Sequence, residues 1–244
     1  MKLTYLGQCG FLVEMAGIRI VTDPYLSDSI EGWTRAYEPP CTLAEANPDL
    51  VVISHSHIDH LDPATLGAYR AAGGNCAIAA PAPECGPLEK LGFENIIYAR
   101  AEQSFQVGGV RVTPIMCAHT EPHTDDAGHF RELSYIIEAG GEKLFFGGDL
   151  SLYDGLSRRL ALEKPQYIII PANGRDETRT ARNIIGNTHP WEAAQLAKDC
   201  GATLIPSHYD LYAENGCAPE DIRSAASRIG AKLLTPKPGM TIEA

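Results

Sequence analysis

Three imidazoles and a carboxylate crowd into the stretch Ser54-His55-Ser56-His57-Ile58-Asp59-His60. Imidazole and carboxylate are the common protein ligands of divalent ions such as zinc and manganese. His55 and His57 stand two residues apart, so in an extended segment both point to one side. Asp59 and His60 follow once the chain has begun to turn, and can face a second point in space. One ion could take the first pair and another ion the second. A lone histidine near a helix start is ordinarily a surface residue. Four ligand-type residues in this spacing, set directly after an apolar run, read as a metal site instead.

The elements on either side explain how such a loop is held. Asp49-Leu50-Val51-Val52-Ile53 is short, apolar and β-branched, the pattern of a buried strand. After the loop, Asp62 can cap a helix and Pro63 can occupy its first position, where a missing N–H costs nothing. A loop fixed at both ends suits a metal centre. Upstream, residues 2–23 read as a three-stranded meander broken at Gly7-Gln8-Cys9-Gly10 and Ala16-Gly17 and ending at Asp23-Pro24. Residues 25–48, with Trp33, Tyr37, Pro39-Pro40 and Asn47-Pro48, lack periodicity and read as an irregular segment near the mouth of the site.

Downstream, the spacing predicts a helix over 63–72, a strand over 76–80, a helix over 84–91 and a strand over 96–98. A hairpin follows over 104–115, turning at Gly108-Gly109. Residues 117–132 are polar and hold His119, His123 and His129; His119 lies nearest the preceding strand. A second hairpin spans 133–138 and 143–146. Then come a helix over 156–163, a strand over 167–171, helices over 189–200 and 219–229 with a strand at 202–206 between them, and short strands at 232–235 and 240–243. No G-x-G-x-x-G or P-loop sequence is present. Strands dominate the first part and mix with helices later, which predicts a layered α/β protein.

A chain of 244 residues allows one large domain or two small ones. The candidate ligands run from His55 to His208, which favours one domain over 1–244. The formal charge of −11 and pI near 5.1 argue against nucleic-acid or anionic-membrane partners. No apolar run approaches a membrane span, and Met1-Lys2-Leu3-Thr4 leads into strand-like sequence, so a cytoplasmic location is expected. Seven cysteines form no paired framework and are expected to be reduced. Cys117, two residues before His119, reads as a small core residue.

His55-Ser56-His57-Ile58-Asp59-His60 matches the H-x-H-x-D-H signature of the metallo-β-lactamase superfamily, and further matches follow in order. His119 comes after the strand-like 110–115. Asp149 ends Phe145-Phe146-Gly147-Gly148-Asp149, like the superfamily's Gly-Asp turn. His208 ends Thr203-Leu204-Ile205-Pro206-Ser207-His208. The opening Tyr5-Leu6-Gly7-Gln8-Cys9-Gly10-Phe11, Thr22-Asp23-Pro24, Gly186-Asn187-Thr188 and Ile205-Pro206-Ser207-His208-Tyr209-Asp210 resemble the branch containing the L-ascorbate-6-phosphate lactonase.

The resemblance implies an αββα sandwich, two β-sheets face to face with helices outside. It implies that His55, His57 and His119 hold a first ion, that Asp59, His60 and His208 hold a second, and that Asp149 bridges both. Seven ligands are too many for one closed tetrahedral site. The ions would be zinc or manganese, with iron also suited to the set. A metal-activated hydroxide would attack an electrophilic carbonyl or phosphorus, with Asp59 and His208 as the candidate catalytic residues. A lactone or ester of a small anionic substrate, such as a sugar phosphate, is the implied target. A phosphodiesterase and a non-hydrolytic metal protein are the alternatives. Asp23 would lie behind the metals and accept a hydrogen bond from a ligand imidazole; a plain strand-end turn is the other reading. Gln8 stands where the family often has His.

Two substrate-binding elements remain. Arg175, Arg179 and Arg182 fall in one loop leaving the strand that ends at Pro171, in an otherwise acidic chain. A guanidinium fits phosphate or carboxylate in a bidentate manner, though these arginines could equally pair with Asp176 and Glu177. Tyr209 can donate a hydrogen bond to substrate or simply pack. The sequence leaves open whether the chain forms a homo-oligomer.

Overall fold

The computed structural model describes residues 1–28 and 32–243. Ser29, Ile30 and Glu31, part of the irregular segment expected over 25–48, lie outside the described residues. Two seven-stranded sheets face each other. The first contains β1 (Lys2–Gly7), β2 (Gly10–Met15), β3 (Ile18–Thr22), β4 (Leu50–Val52), β5 (Ala77–Pro81) and β6 (Ile96–Ala99) in that spatial order. The second contains β7 (Phe105–Val107), β8 (Val110–Met116), β9 (Leu133–Ala139), β10 (Glu142–Phe146), β11 (Tyr167–Pro171), β12 (Thr203–Ser207) and β13 (Lys232–Leu233). The last strand, β14 (Thr241–Glu243), returns to pair antiparallel with β1. Each sheet opens with antiparallel hairpins and closes with parallel strands, β3 to β6 in one and β10 to β13 in the other.

Strand alternation builds three apolar layers. In β4, Leu50 and Val52 face the space between the sheets and Val51 faces outward. Tyr5, Phe11, Val13 and Ile20 from the first sheet meet Val112, Tyr135, Ile137 and Phe146 from the second. Outside the first sheet pack α1 (Leu43–Ala46), α2 (Pro63–Ala71) and α3 (Gly86–Lys90), through Leu43, Leu66, Tyr69 and Leu88. Outside the second pack α4 (Leu156–Glu163), α6 (Pro190–Cys200) and α7 (Pro219–Ile229), through Leu156, Leu160, Leu196, Ala197 and Ala226. The expected αββα sandwich is therefore the observed one.

Some boundaries differ from the sequence reading. The helix expected over 84–91 is a 3₁₀ turn, Ala82–Glu84, followed by α3 starting at Gly86. Pro87 is the reason, because its ring and missing N–H are tolerated only in a first turn. Within the segment read as irregular, α1 forms because Thr42 and Glu45 make a reciprocal capping box. The arginine-bearing loop folds into a short α5 (Glu177–Ala181), capped by Asp176, whose carboxylate accepts from the Arg179 N–H at 2.8 Å. Among the described residues no helix is long and apolar enough to cross a membrane.

The sheets are tied together just below the metal loop. The Tyr135 hydroxyl donates to the Ile53 carbonyl at 2.8 Å, and the Leu133 N–H donates to the Ser54 carbonyl at 3.0 Å. Tyr135 is fully buried, so Tyr135→Phe leaves the Ile53 carbonyl without that donor. We expect a loss of about 1–2 kcal/mol in denaturant-derived stability with the fold intact. An unchanged midpoint would mean that the tie contributes nothing.

Candidate metal centre

The strand directions bring five connections to one edge of the sandwich. These are the β1–β2 turn at Gln8 and Cys9, and the loops after β4, β8, β10 and β12. The loop after β4 carries His55, His57, Asp59 and His60. The loop after β8 carries His119, that after β10 carries Asp149, and that after β12 carries His208. The turn into Asp149 needs glycine: Gly148 has φ +65, and a Cβ there would fall 2.4 Å from Ser54 Cβ. His208 itself is held at φ +56, a left-handed conformation costly for a side-chain-bearing residue. Its N–H donates to the Gln8 carbonyl at 2.9 Å.

All seven expected ligands gather in two sets. His55, His57, His119 and Asp149 have ligand atoms within 4.8 Å of one another, as do Asp59, His60 and His208. Asp149 stands between the sets. Its Oδ2 lies 3.1 Å from His119 Nε2, whereas its Oδ1 lies 3.3 Å from His60 Nε2 and 3.5 Å from His208 Nε2. Asp59 Oδ2 lies 3.2 Å from His208 Nε2 and 3.6 Å from His60 Nε2.

A second ring of contacts fixes the imidazoles. Asp23, fully buried, accepts from His60 Nδ1 at 2.6 Å and from the Ser54 hydroxyl and N–H at 2.6 and 2.7 Å. A carboxylate on Nδ1 sets the tautomer that leaves Nε2 free to ligate. The Ser54 hydroxyl also touches His55 Nδ1 at 2.9 Å. His55 Nε2 and His60 Nε2 are then buried with no hydrogen-bond partner. Buried polar atoms are nearly always satisfied, so two orphaned nitrogens facing a carboxylate cluster fit divalent cations well.

Charges in the cluster act strongly on one another. Burial, reinforced by the neighbouring His60, pushes His55 well below the usual histidine range. Burial works against a charge on His60, but Asp149, Asp59 and Asp23 outweigh it and hold His60 well above that range. His208 is raised in the same way, burial losing to Asp149 and Asp59. Burial would raise Asp149, yet His208, His60 and His119 keep it well below the carboxylate range. Four close acidic oxygens and five imidazoles thus form a site that demands cations, protons when nothing else is there.

The remaining candidates lie around this centre. Cys117 is buried, with Sγ donating to the Asp149 carbonyl at 3.1 Å, and burial pushes its thiol up to about 12; it supports the Asp149 turn from below. His123 pairs with Glu132 and His129 with Asp125, both outside the two sets. Tyr209 is 4 % exposed and packs with Ala172 and Ile222. Arg175 makes two hydrogen bonds to the Glu192 carboxylate, at 2.6 and 2.7 Å, and one to the Asn187 carbonyl. Arg179 bonds to Asp176 and to the Gly216 carbonyl. Both arginines line a cavity of about 760 Å³ that also includes Asn173, His189 and Trp191 but no metal ligand. Arg182 is exposed and has no ion-pair partner among the described residues. The loop it opens returns to the centre, where the Thr188 N–H donates to the Leu150 carbonyl at 2.9 Å.

Sequence reasoning passed over Ser54. Its hydroxyl serves both Asp23 and His55, and only its place at the end of β4, directly before the ligands, signals this. The role of Asp210 was equally hidden: its carboxylate accepts from the Tyr5 and Tyr37 hydroxyls at 2.6 and 2.8 Å, behind His208.

A two-sheet αββα sandwich with histidine and aspartate clusters on one edge is the metallo-β-lactamase fold. The sequence pattern of the beta-lactamase superfamily domain matches residues 18–209, and the chain belongs to that family. It is similar over its whole length to a UPF0173 metal-dependent hydrolase of Methanosarcina mazei, 23% identical over 253 residues, covering 100% of this chain and 98% of the relative. Among solved structures it resembles Igni18, a novel metallo hydrolase of the archaeon Ignicoccus hospitalis, with TM-score 0.76, 23% identity and coverage of 99% and 97% of the two chains. It also resembles an isothiocyanate hydrolase from Delia radicum gut bacteria, with TM-score 0.80, 20% identity and coverage of 100% and 99%. At these identities the structural likenesses speak for the fold alone.

Proposed function

We propose that the protein is a metal-dependent hydrolase with two divalent ions, acting on a lactone or ester bond of a small anionic substrate. The observation that carries this reading is the division of Asp149, with Oδ2 on His119 and Oδ1 on His60 and His208. A carboxylate so placed serves two ligand sets at once. Relatives named as metal-dependent hydrolases add support. So does the resemblance of the opening strand and the Ile205-to-Asp210 segment to the ascorbate-phosphate lactonase branch. Zinc or manganese suits the donors best, with iron also compatible.

Two bound ions would supply a water of lowered pKa and Lewis-acid polarisation of the bond under attack. The chain's own residues hold that arrangement. Asp23 and Ser54 lock His60 and His55, so neither ring must reorient during turnover. Asp59, with its side chain 16 % exposed against 4 % for Asp149, is the ligand carboxylate nearer solvent. It is placed to accept the proton that hydrolysis releases and, as the neutral acid, to pass it to solvent, while His208, 3.2 Å away, keeps the carboxyl in position. Seven unpaired cysteines support a cytoplasmic location.

A panel of lactones, carboxylic esters, phosphomonoesters and phosphodiesters, assayed with added zinc, manganese or iron, tests the reading. Turnover of a lactone or ester that a chelator abolishes is the expected result. Turnover restricted to phosphodiesters would replace the substrate class, and activity that ignores chelators would remove the metals from the mechanism.

Of the three arginines, Arg182 has the guanidinium best able to meet an anionic substrate, because Arg175 and Arg179 are held by Glu192 and Asp176. Arg182→Ala is expected to lower kcat/KM for an anionic substrate by about 10–100-fold, the scale of a charged hydrogen bond of about 1.5–3 kcal/mol. A neutral analogue should hardly notice. Arg175→Ala should instead lower thermal stability, because it leaves the buried Glu192 carboxylate without its cation and with only the His189 N–H. Equal losses for charged and neutral substrates in Arg182→Ala would reject the assignment.

A further inference from the structure

We propose that Gln8 is a ligand of the second ion, its amide oxygen joining Asp59, His60 and His208. This rests on the two-ion reading above and adds to it one residue of this chain. Gln8 is 2 % exposed and sits in the β1–β2 turn with φ +55, a backbone region that favours glycine. Its carbonyl accepts the His208 N–H, so the two residues are fixed to each other. Strained, buried and polar, it occupies a place where a turn needs none of those properties.

The distances give the reason. At the end of the Gln8 amide, Nε2 lies 2.7 Å from Asp59 Oδ2 and 3.0 Å from His208 Nε2. Ions of this kind hold oxygen and nitrogen ligands at about 2.0–2.2 Å, so neighbouring ligand atoms around one ion stand roughly 3–3.5 Å apart. The Gln8 amide end stands from His208 Nε2 at the spacing of a further ligand, and a little closer than that to Asp59 Oδ2. An amide has two ends of similar shape and opposite polarity. The N–H end donates to the Asp59 carboxylate. With a cation between them, two N–H groups would point at positive charge, and rotation about the terminal torsion presents Oε1 instead.

The two half-sites then differ in chemistry. The first has three imidazoles and one shared carboxylate, a set suited to zinc. The second has oxygens from Asp59, Asp149 and Gln8 beside two imidazoles, a harder set that favours manganese or iron more strongly than the first does.

The test is metal titration of the full chain with zinc and with manganese, read by calorimetry and by metal analysis after desalting. Wild type, Gln8→Ala and Gln8→Glu are compared, and circular dichroism verifies folding. Wild type should bind two ions. Gln8→Ala should keep the first ion unchanged and bind the second at least ~10-fold more weakly, the loss typical when a residue supporting a metal is removed. Gln8→Glu, which keeps an oxygen in place, should bind the second ion as tightly as wild type or more so. If both ions bind Gln8→Ala as they bind wild type, Gln8 is no ligand. If Gln8→Glu weakens the second ion as much as alanine does, the amide acts only as an N–H donor to Asp59, and the ligand assignment is overturned. A wild type that binds a single ion would instead overturn the two-ion reading beneath it.

Discussion

Asp149→Ala is expected to abolish hydrolysis, by at least ~10³-fold or about 4 kcal/mol of transition-state stabilisation, and to weaken both ions together. No other ligand should do both. His57→Ala should leave the Asp59, His60 and His208 set able to bind, and His208→Ala should spare the His55, His57 and His119 set. The difference follows from geometry, because each oxygen of Asp149 faces a different set of imidazoles. The comparison to make is the metal content and the kcat of the three variants side by side. An Asp149→Ala protein that retains one ion at wild-type affinity would assign Asp149 to a single half-site.

Acid should remove the ions before it unfolds the chain. Ligand imidazoles must be neutral, and an unperturbed histidine titrates near ~6.5. Here His60 and His208 are raised above that value by Asp149 and Asp59. In the ion-free protein both hold their protons to higher pH than a free histidine does, and an incoming ion must displace them. Metal affinity should therefore still be rising as pH climbs through 7, and the acid limb of activity should move to lower pH when metal is added in excess.

The same linkage applies to folding. Charged His60 stabilises the ion-free fold fully below ~6.5, and this contribution is lost as pH rises through its higher folded value. The depressed Asp149 contributes above ~3.9 and loses its contribution as pH falls through its folded value. His55, pushed down by burial, opposes folding below ~6.5. Because bound ions take the place of the His60 and His208 protons, the rise in melting temperature on adding metal should be larger at pH 8 than at pH 6. An acid limb indifferent to metal concentration would point to another titrating group.

Much of the centre was legible because its histidines and aspartates lie just after buried strands. Apolar runs such as 49–53 and 203–206 identify themselves by composition, and a histidine or aspartate at the end of each lands on the same sheet edge. The meander, both hairpins and helices α4, α6 and α7 could be read for the same reason: their periodicity is local. What could not be read was partner choice. The carboxylate that takes Arg175 is Glu192, on a helix 17 residues away, rather than the adjacent Asp176 or Glu177. Only the path of the loop determines that. Glu192 is placed there because its carboxylate also accepts from the His189 N–H, closing the start of α6. The function of Ser54 was hidden in the same way, since a hydroxyl between two ligand-bearing segments has no pattern of its own. Gln8 was visible as a departure from the family, but its nearness to Asp59 depends on a turn conformation that glutamine seldom adopts.

Whether one shared carboxylate organises two ions is tested most directly by a metal count. Protein saturated with zinc or manganese near pH 8, desalted and analysed for metal per chain, should hold two ions, falling toward none in Asp149→Ala. One tightly held ion per chain under saturating conditions would contradict the account.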